Sequence, residues 1–267
     1  MTKPSLAGEI ARDEPTPRIY LLGIQVHMVQ IPDVVRQMEQ WITEGRRSRF
    51  IAVTGMHGLT EAQSDPSFKV VLNAADLVVP DGMPLVWLAR WRGNRLKRRV
   101  YGPELMLTFC EATAGKGYRH FLYGGAPGVA EQLARVLTSR FPGLQIAGTY
   151  SPPYRPLTTD EGRRVVEIIN NSRAEVLWVG LSSPKQERWM YEYRDLLHVP
   201  VMVGVGAAFD LNTGRVKQAP PWMREHGLEW FYRLLQEPGR LWRRYLIHGS
   251  RFVAYVILES FHLKKFD

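Results

Sequence analysis

The chain has 267 residues, 45% of them hydrophobic and 23% charged, with a formal net charge of +9 at pH 7. This is an ordinary globular composition, and the length suits one large domain with an appendage. The single cysteine, Cys110, excludes a disulfide within the chain, and no cysteine–histidine cluster has metal-ligand spacing. A reducing, cytoplasmic setting is therefore expected.

The first 17 residues are charged and contain three prolines. They lack the apolar stretch of a signal peptide and are predicted to be a disordered lead-in. No stretch of the chain approaches the roughly 20 apolar residues of a membrane-spanning helix. The longest candidate near the end, residues 252–258, is bounded by Arg251 and Glu259. The sequence thus predicts a protein that does not span a membrane.

Short β-rich segments alternate with longer amphipathic segments through most of the chain. Strands are predicted at 19–26, 50–54, 77–80, 120–123, 145–150, 176–180 and 201–205. Helices are predicted at 32–44, 84–93, 104–115, 129–141, 159–172 and 184–197. Because strands and helices alternate and several strands are apolar throughout, we expect an α/β fold with a doubly wound, mostly parallel sheet.

The pattern changes after Gly214. Residues 18–214 are predicted to form the α/β domain, and residues 215–267 a C-terminal appendage of two or three helices, broken at Pro238. The appendage holds ten Lys or Arg residues and five Asp or Glu residues, so it carries more than half of the net charge. A basic tail on a near-neutral body indicates an anionic partner: nucleic acid, a phosphate-bearing substrate or an acidic lipid.

The turns after the predicted strands are candidate ligand sites, because open α/β sheets bind ligands beyond the carboxyl ends of their strands. These turns are 54–57, 81–82, 124–128, 180–186 and 204–208, and they include Gly124, Gly125 and Gly206. Small residues let a ligand approach the backbone, and the following helix N-terminus offers N–H groups to a phosphate. The alternative is that these turns need glycine for their geometry alone. The turn at 204–208 lacks the third glycine of a dinucleotide fingerprint.

Three polar residues at strand ends each have a possible functional role and a possible structural role. Asp81 is placed for general-base chemistry at the mouth of a cleft, or it caps the next helix. His57 is a candidate base, although a single histidine after a strand is more often structural. The amide of Gln186 suits a sugar hydroxyl, or it is simply a polar residue in the first turn of a helix.

Arginines are the candidates for binding a diphosphate. The chain has no Asp-x-Asp sequence, the usual holder of a divalent metal against a sugar nucleotide. Arginines and helix dipoles must then meet the diphosphate charge. The candidates are Arg99 and, in the tail, Arg233, Arg240, Arg243 and Arg244. Each taken alone is better explained as a solvated surface residue. As a set beside Trp230, Phe231 and Trp242, they are equally consistent with an anion-binding surface.

Five ordered segments resemble the WecG/TagA/CpsF glycosyltransferases, glycosyltransferase family 26. They are DLVVPDGM at 76–83, LYGGAPGVAE at 122–131, VGLSSPKQE at 179–187, GVGAAFD at 204–210, and APPWM at 219–223 followed by GLEWFYRLLQEP at 227–238. The resemblance covers roughly residues 18 to 247, in order and with plausible spacing.

The resemblance implies a Rossmann-like body with a C-terminal appendage that meets the membrane and completes the active site. It implies an inverting transfer, without metal or other cofactor, from a UDP-sugar to a polyprenyl-diphosphate-linked saccharide in cell-surface polysaccharide biosynthesis. The expected location is the inner face of the plasma membrane, at an anionic surface. No nucleic acid is expected as a partner, and self-association is compatible with the family.

The resemblance also assigns roles to individual residues. The family's catalytic base falls on Asp81, its donor-site threonine, arginine and amide on Thr54, Arg99 and Gln186, and its tail arginines on Arg233, Arg240 and Arg243. The donor diphosphate is expected at the turn that contains Gly124 and Gly125, with Gly206 nearby. Two positions depart from the family: Gly55-Met56 stands where an asparagine is usual, and Ala126 where a lysine often follows.

Three other functions stay open from the sequence. The first is a nicotinamide- or flavin-dependent oxidoreductase on a similar sheet, against which the incomplete glycine fingerprint argues. The second is a nucleic-acid-binding protein that uses the basic tail, and the third is a non-catalytic scaffold. The sequence does not fix the transferred sugar, the acceptor saccharide or the oligomeric state.

Overall fold

A computed structural model describes residues 16–45 and 47–266, apart from the side chains of Arg240 and Arg244. The predicted disordered lead-in therefore lies outside the described residues up to position 15. The described strands are β1 (Arg18–Leu21), β2 (Ile24–His27), β3 (Arg49–Thr54), β4 (Leu77–Pro80), β5 (Arg119–Gly124), β6 (Gln145–Tyr150), β7 (Val176–Gly180) and β8 (Val201–Gly204).

Helices connect and follow these strands. They are α1 (Ile31–Glu44), α2 (Met56–Ser64), α3 (Pro66–Asn73), α4 (Met83–Trp91), α5 (Gly102–Thr113), α6 (Val129–Arg140), α7 (Thr159–Ser172), α8 (Lys185–Tyr193), α9 (Ala208–Asn212), α10 (Pro221–Glu225), α11 (Glu229–Gln236), α12 (Pro238–Trp242) and α13 (His248–Ser260). A π-helical turn, Arg243–Ile247, joins α12 to α13.

Six of the strands form one parallel sheet in the order β4-β3-β8-β7-β5-β6. Side chains alternate between its two faces, as the pleat requires. Val176 and Trp178 pack into a core with α1, α5 and α6, whereas Leu177 and Val179 pack into a core with α7 and α8. Helices cover both faces, so the predicted Rossmann-like, doubly wound α/β fold is confirmed.

Capping explains why α7 begins where the sequence predicts. In α7, the Thr158 side chain accepts from the Glu161 N–H at 3.3 Å, and the Glu161 carboxylate accepts from the Thr158 N–H at 2.8 Å. Two of the unsatisfied N–H groups of the first turn gain partners in this way. The same helix buries Val165 and Ile169, which lie four residues apart on one face.

The strand predicted at 19–26 is wrong in one respect, because it is a two-stranded antiparallel hairpin outside the main sheet. Leu22 and Gly23 form its turn, with φ of 52° and 70°. Two positive φ values are characteristic of the tight turns whose twist matches a hairpin. Leu22 is fully buried although it lies in the turn, so the sequence shows one continuous apolar segment where the chain reverses.

The segment between β3 and β4 forms two helices that the sequence analysis does not identify. Asp65 separates them: its N–H donates to the Glu61 carbonyl at the end of α2, and its carboxylate accepts from the Phe68 N–H at 3.1 Å at the start of α3. Pro66 follows in the first turn of α3, where a missing N–H costs nothing.

The tail lies against the N-terminal hairpin and α2. Phe252 of α13 and Phe266 are buried in one core with Leu22, Leu59 and other residues of this region. The Leu22 N–H donates to Glu259 at 2.8 Å, and Arg92 forms an ion pair with the same carboxylate. Across the part of the chain that the structure describes, every helix is too short or too polar to cross a membrane. The proposed boundary at residue 214 stays a prediction.

Candidate active site

A cleft lies where β3 and β4 end and where the tail folds back over the sheet. Strand-end residues form its floor, and α11 with the π-helical turn forms one wall. The lining residues that carry polar or aromatic groups are Thr54, His57, Asp81, Arg99, Tyr101, Ser183, Glu229, Trp230, Arg233 and Tyr245. This position beyond the carboxyl ends of the strands is the one expected for an open α/β sheet.

Asp81 is the acidic residue on the floor of the cleft. It directly follows β4, and its N–H donates to the Thr54 carbonyl at 2.8 Å, which extends the pairing of β3 and β4 by one residue. The side chain is 33% exposed, so a ligand in the cleft can reach it. Its backbone is thus fixed by the sheet while its carboxylate faces the cleft.

Arg99 lies between two carboxylates. Its guanidinium is 3.8 Å from Asp81 and forms a close ion pair with Glu229 of α11. It also stacks on the Tyr101 ring, 4.2 Å from the ring centroid, and the Tyr101 hydroxyl donates to Glu229 at 2.6 Å. The strand end, the 99–101 segment and the tail therefore meet through one charged group.

Burial and charge act in opposite directions on this group. Burial alone lowers the pKa of Arg99, but Asp81 and Glu229 outweigh it and raise that pKa above its ordinary value. Burial and the neighbouring Glu229 carboxylate raise the pKa of Tyr101. Arg99 is a permanent cation and Tyr101 a neutral hydrogen-bond donor at physiological pH.

Thr54 ends β3 and is almost fully buried. The space that its hydroxyl occupies depends on Gly58 in α2, because a Cβ at that glycine would lie 2.1 Å from the Thr54 Oγ1. Gly55 has a similar function, since a Cβ there would lie 2.3 Å from the Asp81 carbonyl. The small residues of the 54–58 turn thus let β3, β4 and α2 approach each other closely.

The other predicted donor-site residues form a second group. Gln186 is buried and its Oε1 accepts from the Gly206 N–H at 2.9 Å, so the amide links the start of α8 to the turn after β8. The Gly125 N–H donates to the Gly180 carbonyl at 3.1 Å. Neither Gln186, Gly124, Gly125 nor Gly206 lines the cleft around Asp81.

The distance between the two groups follows from the strand order. Strands β3 and β5 are separated by β8 and β7. At about 4.8 Å per strand, the turn with Gly124 lies about 14 Å along the sheet edge from Thr54. Ser183, in the turn after β7, is the residue of this region that reaches the cleft.

The three predicted tail arginines have different positions. Arg233 of α11 lines the cleft. Arg243 is exposed and stacks against Trp242, 5.3 Å from the ring centroid. The side chain of Arg240 lies outside the described residues. Of the ten residues to which the resemblance assigns roles, the cleft contains Asp81, Thr54, Arg99 and Arg233. The candidate base His57 also lines it.

Sequence analysis did not identify Glu229 and Tyr101. Glu229 lies in the segment 227–238 that carries the resemblance, but a glutamate at the start of a helix is ordinarily a surface residue near a favourable dipole. Its burial, with 6% of its surface exposed, becomes visible only in the folded chain. Charge gives little signal, because Glu229 is one of five acidic residues in the tail.

Comparison with known proteins gives the family. The model of the glycosyl transferase WecG/TagA/CpsF family matches residues 19–266. The chain is similar to the N-acetylglucosaminyldiphosphoundecaprenol N-acetyl-beta-D-mannosaminyltransferase of Bacillus spizizenii (strain ATCC 23059 / NRRL B-14472 / W23), with 33% identity over 81% of this chain and 82% of the relative. It is also similar to the enzyme of that name from Bacillus subtilis (strain 168), with 34% identity over 77% of each chain.

Proposed function

The chain belongs to the WecG/TagA/CpsF family and is a glycosyltransferase, and we propose that it transfers a sugar from a UDP-sugar to a polyprenyl-diphosphate-linked saccharide. The proposal includes inversion at the anomeric carbon and a donor diphosphate held without a metal ion. Its context is the synthesis of a cell-surface polysaccharide of the exopolysaccharide, teichoic acid or common-antigen type.

The pairing of Asp81 with Arg99 in one cleft carries the proposal. The Asp81 carboxylate takes the proton from the acceptor hydroxyl while that oxygen attacks the anomeric carbon from the face opposite UDP. One carbon–oxygen bond forms, the bond to the diphosphate oxygen breaks, and its electron pair leaves with UDP. Arg99 and Arg233 offset the negative charge that develops on the departing diphosphate.

The two Bacillus relatives suggest the first substrates to test. Their name specifies transfer of N-acetylmannosamine to N-acetylglucosaminyl diphosphoundecaprenol. We therefore propose UDP-N-acetylmannosamine as the first donor to test, and undecaprenyl-diphosphate-linked N-acetylglucosamine as the first acceptor. Gly55 and Met56, which stand where the family usually has an asparagine, lie beside Thr54 in the cleft. A donor with a different sugar is therefore the second to test.

The surface of the tail supports docking at an anionic membrane. Large apolar side chains are exposed on α11 and α13 and after them, among them Leu235, Val253, Ile257, Phe261 and Leu263. Arg243, Arg251, Lys264 and Lys265 supply positive charge in the same region. Aromatic and aliphatic anchors combined with cations favour the interface of an anionic bilayer. We propose on this basis that the enzyme works at the cytoplasmic face of the plasma membrane.

The Asp81→Asn substitution tests the base. It removes the proton acceptor and changes little else in size, so the transfer rate should fall about 10²–10⁴-fold while UDP binding is retained. Asp195→Asn is the matched control, because the Asp195 side chain is 94% exposed and lies away from the cleft. Initial rates and UDP binding of both variants are measured. Near-normal transfer by Asp81→Asn would refute the base assignment.

Thermal unfolding with a panel of nucleotides and nucleotide sugars tests the donor. A ligand that binds only the folded protein raises its unfolding temperature. We expect stabilisation by UDP and by one UDP-sugar, and no further effect when Mg²⁺ is added in the millimolar range. Stabilisation by NAD or FAD alone would instead indicate the oxidoreductase.

A further inference from the structure

Two histidines and a carboxylate converge at the rim of the cleft, beside the group formed by Asp81 and Arg99. His57 and Glu61 lie on α2, and His248 is the first residue of α13. One ligand atom from each of the three residues lies within 4.8 Å of the other two. The His248 Nδ1 is 3.8 Å from the Glu61 carboxylate, and the two imidazole rings have centroids 4.6 Å apart.

The backbone fixes this convergence. His57 and Glu61 are four residues apart on a helix, so their side chains share one face. The N-terminus of α13 lies against α2. The Thr60 hydroxyl, which donates to the Met56 carbonyl at 2.8 Å, is also 3.4 Å from the His248 carbonyl. A Cβ at Gly249 would lie 3.6 Å from the end of the Met56 side chain. The three side chains are therefore presented together by two packed helices.

We propose that His57, Glu61 and His248 form a binding site for a zinc-class transition-metal ion. Two imidazoles and one carboxylate are a ligand set that zinc uses with a fourth position left to water. Magnesium and calcium instead require sets composed of oxygen ligands. The chemistry of the three residues thus selects a borderline transition metal and argues against the divalent cations that commonly accompany nucleotides.

The geometry requires only small side-chain movements. Tetrahedral zinc with bonds of about 2.0–2.1 Å places its ligand atoms about 3.3 Å apart. From a present spacing within 4.8 Å, rotations of the two imidazoles and the carboxylate close the remaining gap. The His248 and Glu61 side chains are 20% and 30% exposed, so an ion can enter from solvent.

The ion would join the tail to the body. Helix α2 begins at the turn after Thr54, and α13 belongs to the segment that closes the cleft. A bound ion adds a link between them that exists only in the folded chain, and it stabilises that packing. It takes no part in the transfer step, which stays with Asp81 and the arginines.

Cobalt is the probe for this site. The untagged full-length protein is dialysed against a chelator and then against metal-free buffer, and Co²⁺ is added while visible absorption is recorded. We expect one equivalent of Co²⁺ to produce the d–d absorption of a low-coordinate nitrogen and oxygen site, and added Zn²⁺ to displace it. No such absorption, or absorption without saturation at one equivalent, would overturn the proposal.

Single substitutions assign the ligands. His57→Gln, Glu61→Gln and His248→Gln should each abolish the saturable absorption and the rise in unfolding temperature with Zn²⁺. His198→Gln is the matched control, because His198 is exposed and precedes the amino end of β8, whereas the cleft lies beyond the carboxyl ends of the strands. Its Co²⁺ and Zn²⁺ responses should equal those of the unsubstituted protein. Retained responses in His57→Gln and His248→Gln would place the metal elsewhere and overturn the assignment.

Two further readouts keep the outcome clear. Circular dichroism without metal shows whether each variant folds, and Glu61→Gln, which changes the least volume, serves if a histidine variant does not. Hydrogen exchange in the first turn of α13 should slow when Zn²⁺ is added to the unsubstituted protein. It should not slow in the Glu61→Gln variant. None of these measurements involves UDP, so their failure leaves the proposed transferase chemistry untouched.

Discussion

Glu229 brings a buried negative charge from the tail to the site where Asp81 and Arg99 of the body meet. Its carboxylate accepts from the Tyr101 hydroxyl and pairs with Arg99, which is also 3.8 Å from Asp81. Without Glu229, the buried guanidinium would have Asp81 as its anionic neighbour. We infer that Glu229 keeps Arg99 at a distance from Asp81, so that the Asp81 carboxylate stays available to the acceptor hydroxyl.

Replacing Glu229 by glutamine tests this inference. The neutral amide cannot balance the guanidinium, so Arg99 should move toward Asp81 and compete for its carboxylate. We expect the transfer rate to fall at least about tenfold, equivalent to about 1.4 kcal/mol in the barrier. Loss of one partner of a buried ion pair also destabilises the fold, by about 3 kcal/mol. Initial rates and thermal unfolding measure the two effects.

Glu225→Gln is the control for that substitution. Glu225 lies on the same tail and is 3.6 Å from Arg98, the neighbour of Arg99, but both side chains are mostly exposed. An exposed pair contributes little, so this variant should keep its rate and its stability within about 0.5 kcal/mol. Equal rates for Glu229→Gln and Glu225→Gln would show that the buried carboxylate has no role in arranging the site.

The sequence predicts the polar residues at strand ends better than it predicts Glu229 of the tail. Asp81 and Thr54 can be found because a parallel sheet gathers the ends of its strands at one edge. Glu229 is 130 residues from Arg99 in the chain, and no local pattern predicts that pairing. The expected donor contacts of Gln186 and Gly206 stay predictions. In the structure the Gly206 N–H, in the β8–α9 turn, donates to the Gln186 side chain at the start of α8.

At the scale of elements, the accuracy of the predictions follows the strength of the local signals. Helix α7 begins with a capping box and matches the predicted range 159–172 at both ends. The hairpin of β1 and β2 is missed because its turn contains a buried leucine where asparagine or aspartate is usual. Helices α2 and α3 are short, and α2 has a single-residue boundary with α3 at Asp65. Such segments give little periodicity to read.

Helix α13 contributes to stability through one face, and this gives a matched pair of substitutions. Phe252 is 5% exposed and packs with the N-terminal hairpin and α2, whereas Phe261, just beyond the helix, is 74% exposed. Truncating a buried phenylalanine to alanine removes its apolar contacts and leaves a cavity, at a cost of about 3–5 kcal/mol. We expect that loss for Phe252→Ala in urea unfolding.

Phe261→Ala should change the free energy of unfolding by less than about 0.5 kcal/mol. The same variant should weaken binding to anionic vesicles if the exposed apolar residues of the tail dock on a membrane. The pair therefore separates the structural face of the tail from its proposed docking face. Equal unfolding free energies for the two variants would contradict the packing of α13 described above.

At the scale of the whole molecule, the two ends of the described chain form one structural unit. The N-terminal hairpin, α2 and α13 share a core. Glu259 of α13 accepts from the Leu22 N–H in the hairpin turn and pairs with Arg92, which follows α4. A tail removed after residue 214 would uncover this core as well as open the cleft. The body should therefore lose stability together with activity, and the tail is expected to be an integral part of the fold.

The stability of the whole molecule should also depend on pH through one buried histidine. His120 of β5 is fully buried, and its Nδ1 accepts from the Trp178 Nε1–H at 3.0 Å. Burial lowers the pKa of His120 to about 4, with a smaller opposing effect of Glu175. In the unfolded chain the ring has a pKa of about 6.5. Between that pH and about pH 4, the ring is therefore neutral in the folded chain and protonated in the unfolded chain.

The sign follows from proton uptake. Between about pH 6.5 and 4 the unfolded chain binds more protons at this residue than the folded chain, so the free energy of unfolding falls as the pH is lowered. From pH 7 to pH 5 this residue should contribute a loss of about 2 kcal/mol. His120→Gln keeps an acceptor for Trp178 and does not titrate, so the loss measured by urea unfolding should be smaller by about that amount. The control is His198→Gln, because His198 is exposed and precedes β8. This variant should lose as much unfolding free energy between pH 7 and pH 5 as the unsubstituted protein. An unchanged loss in His120→Gln would show that burial of the His120 ring does not govern the acid sensitivity of the fold.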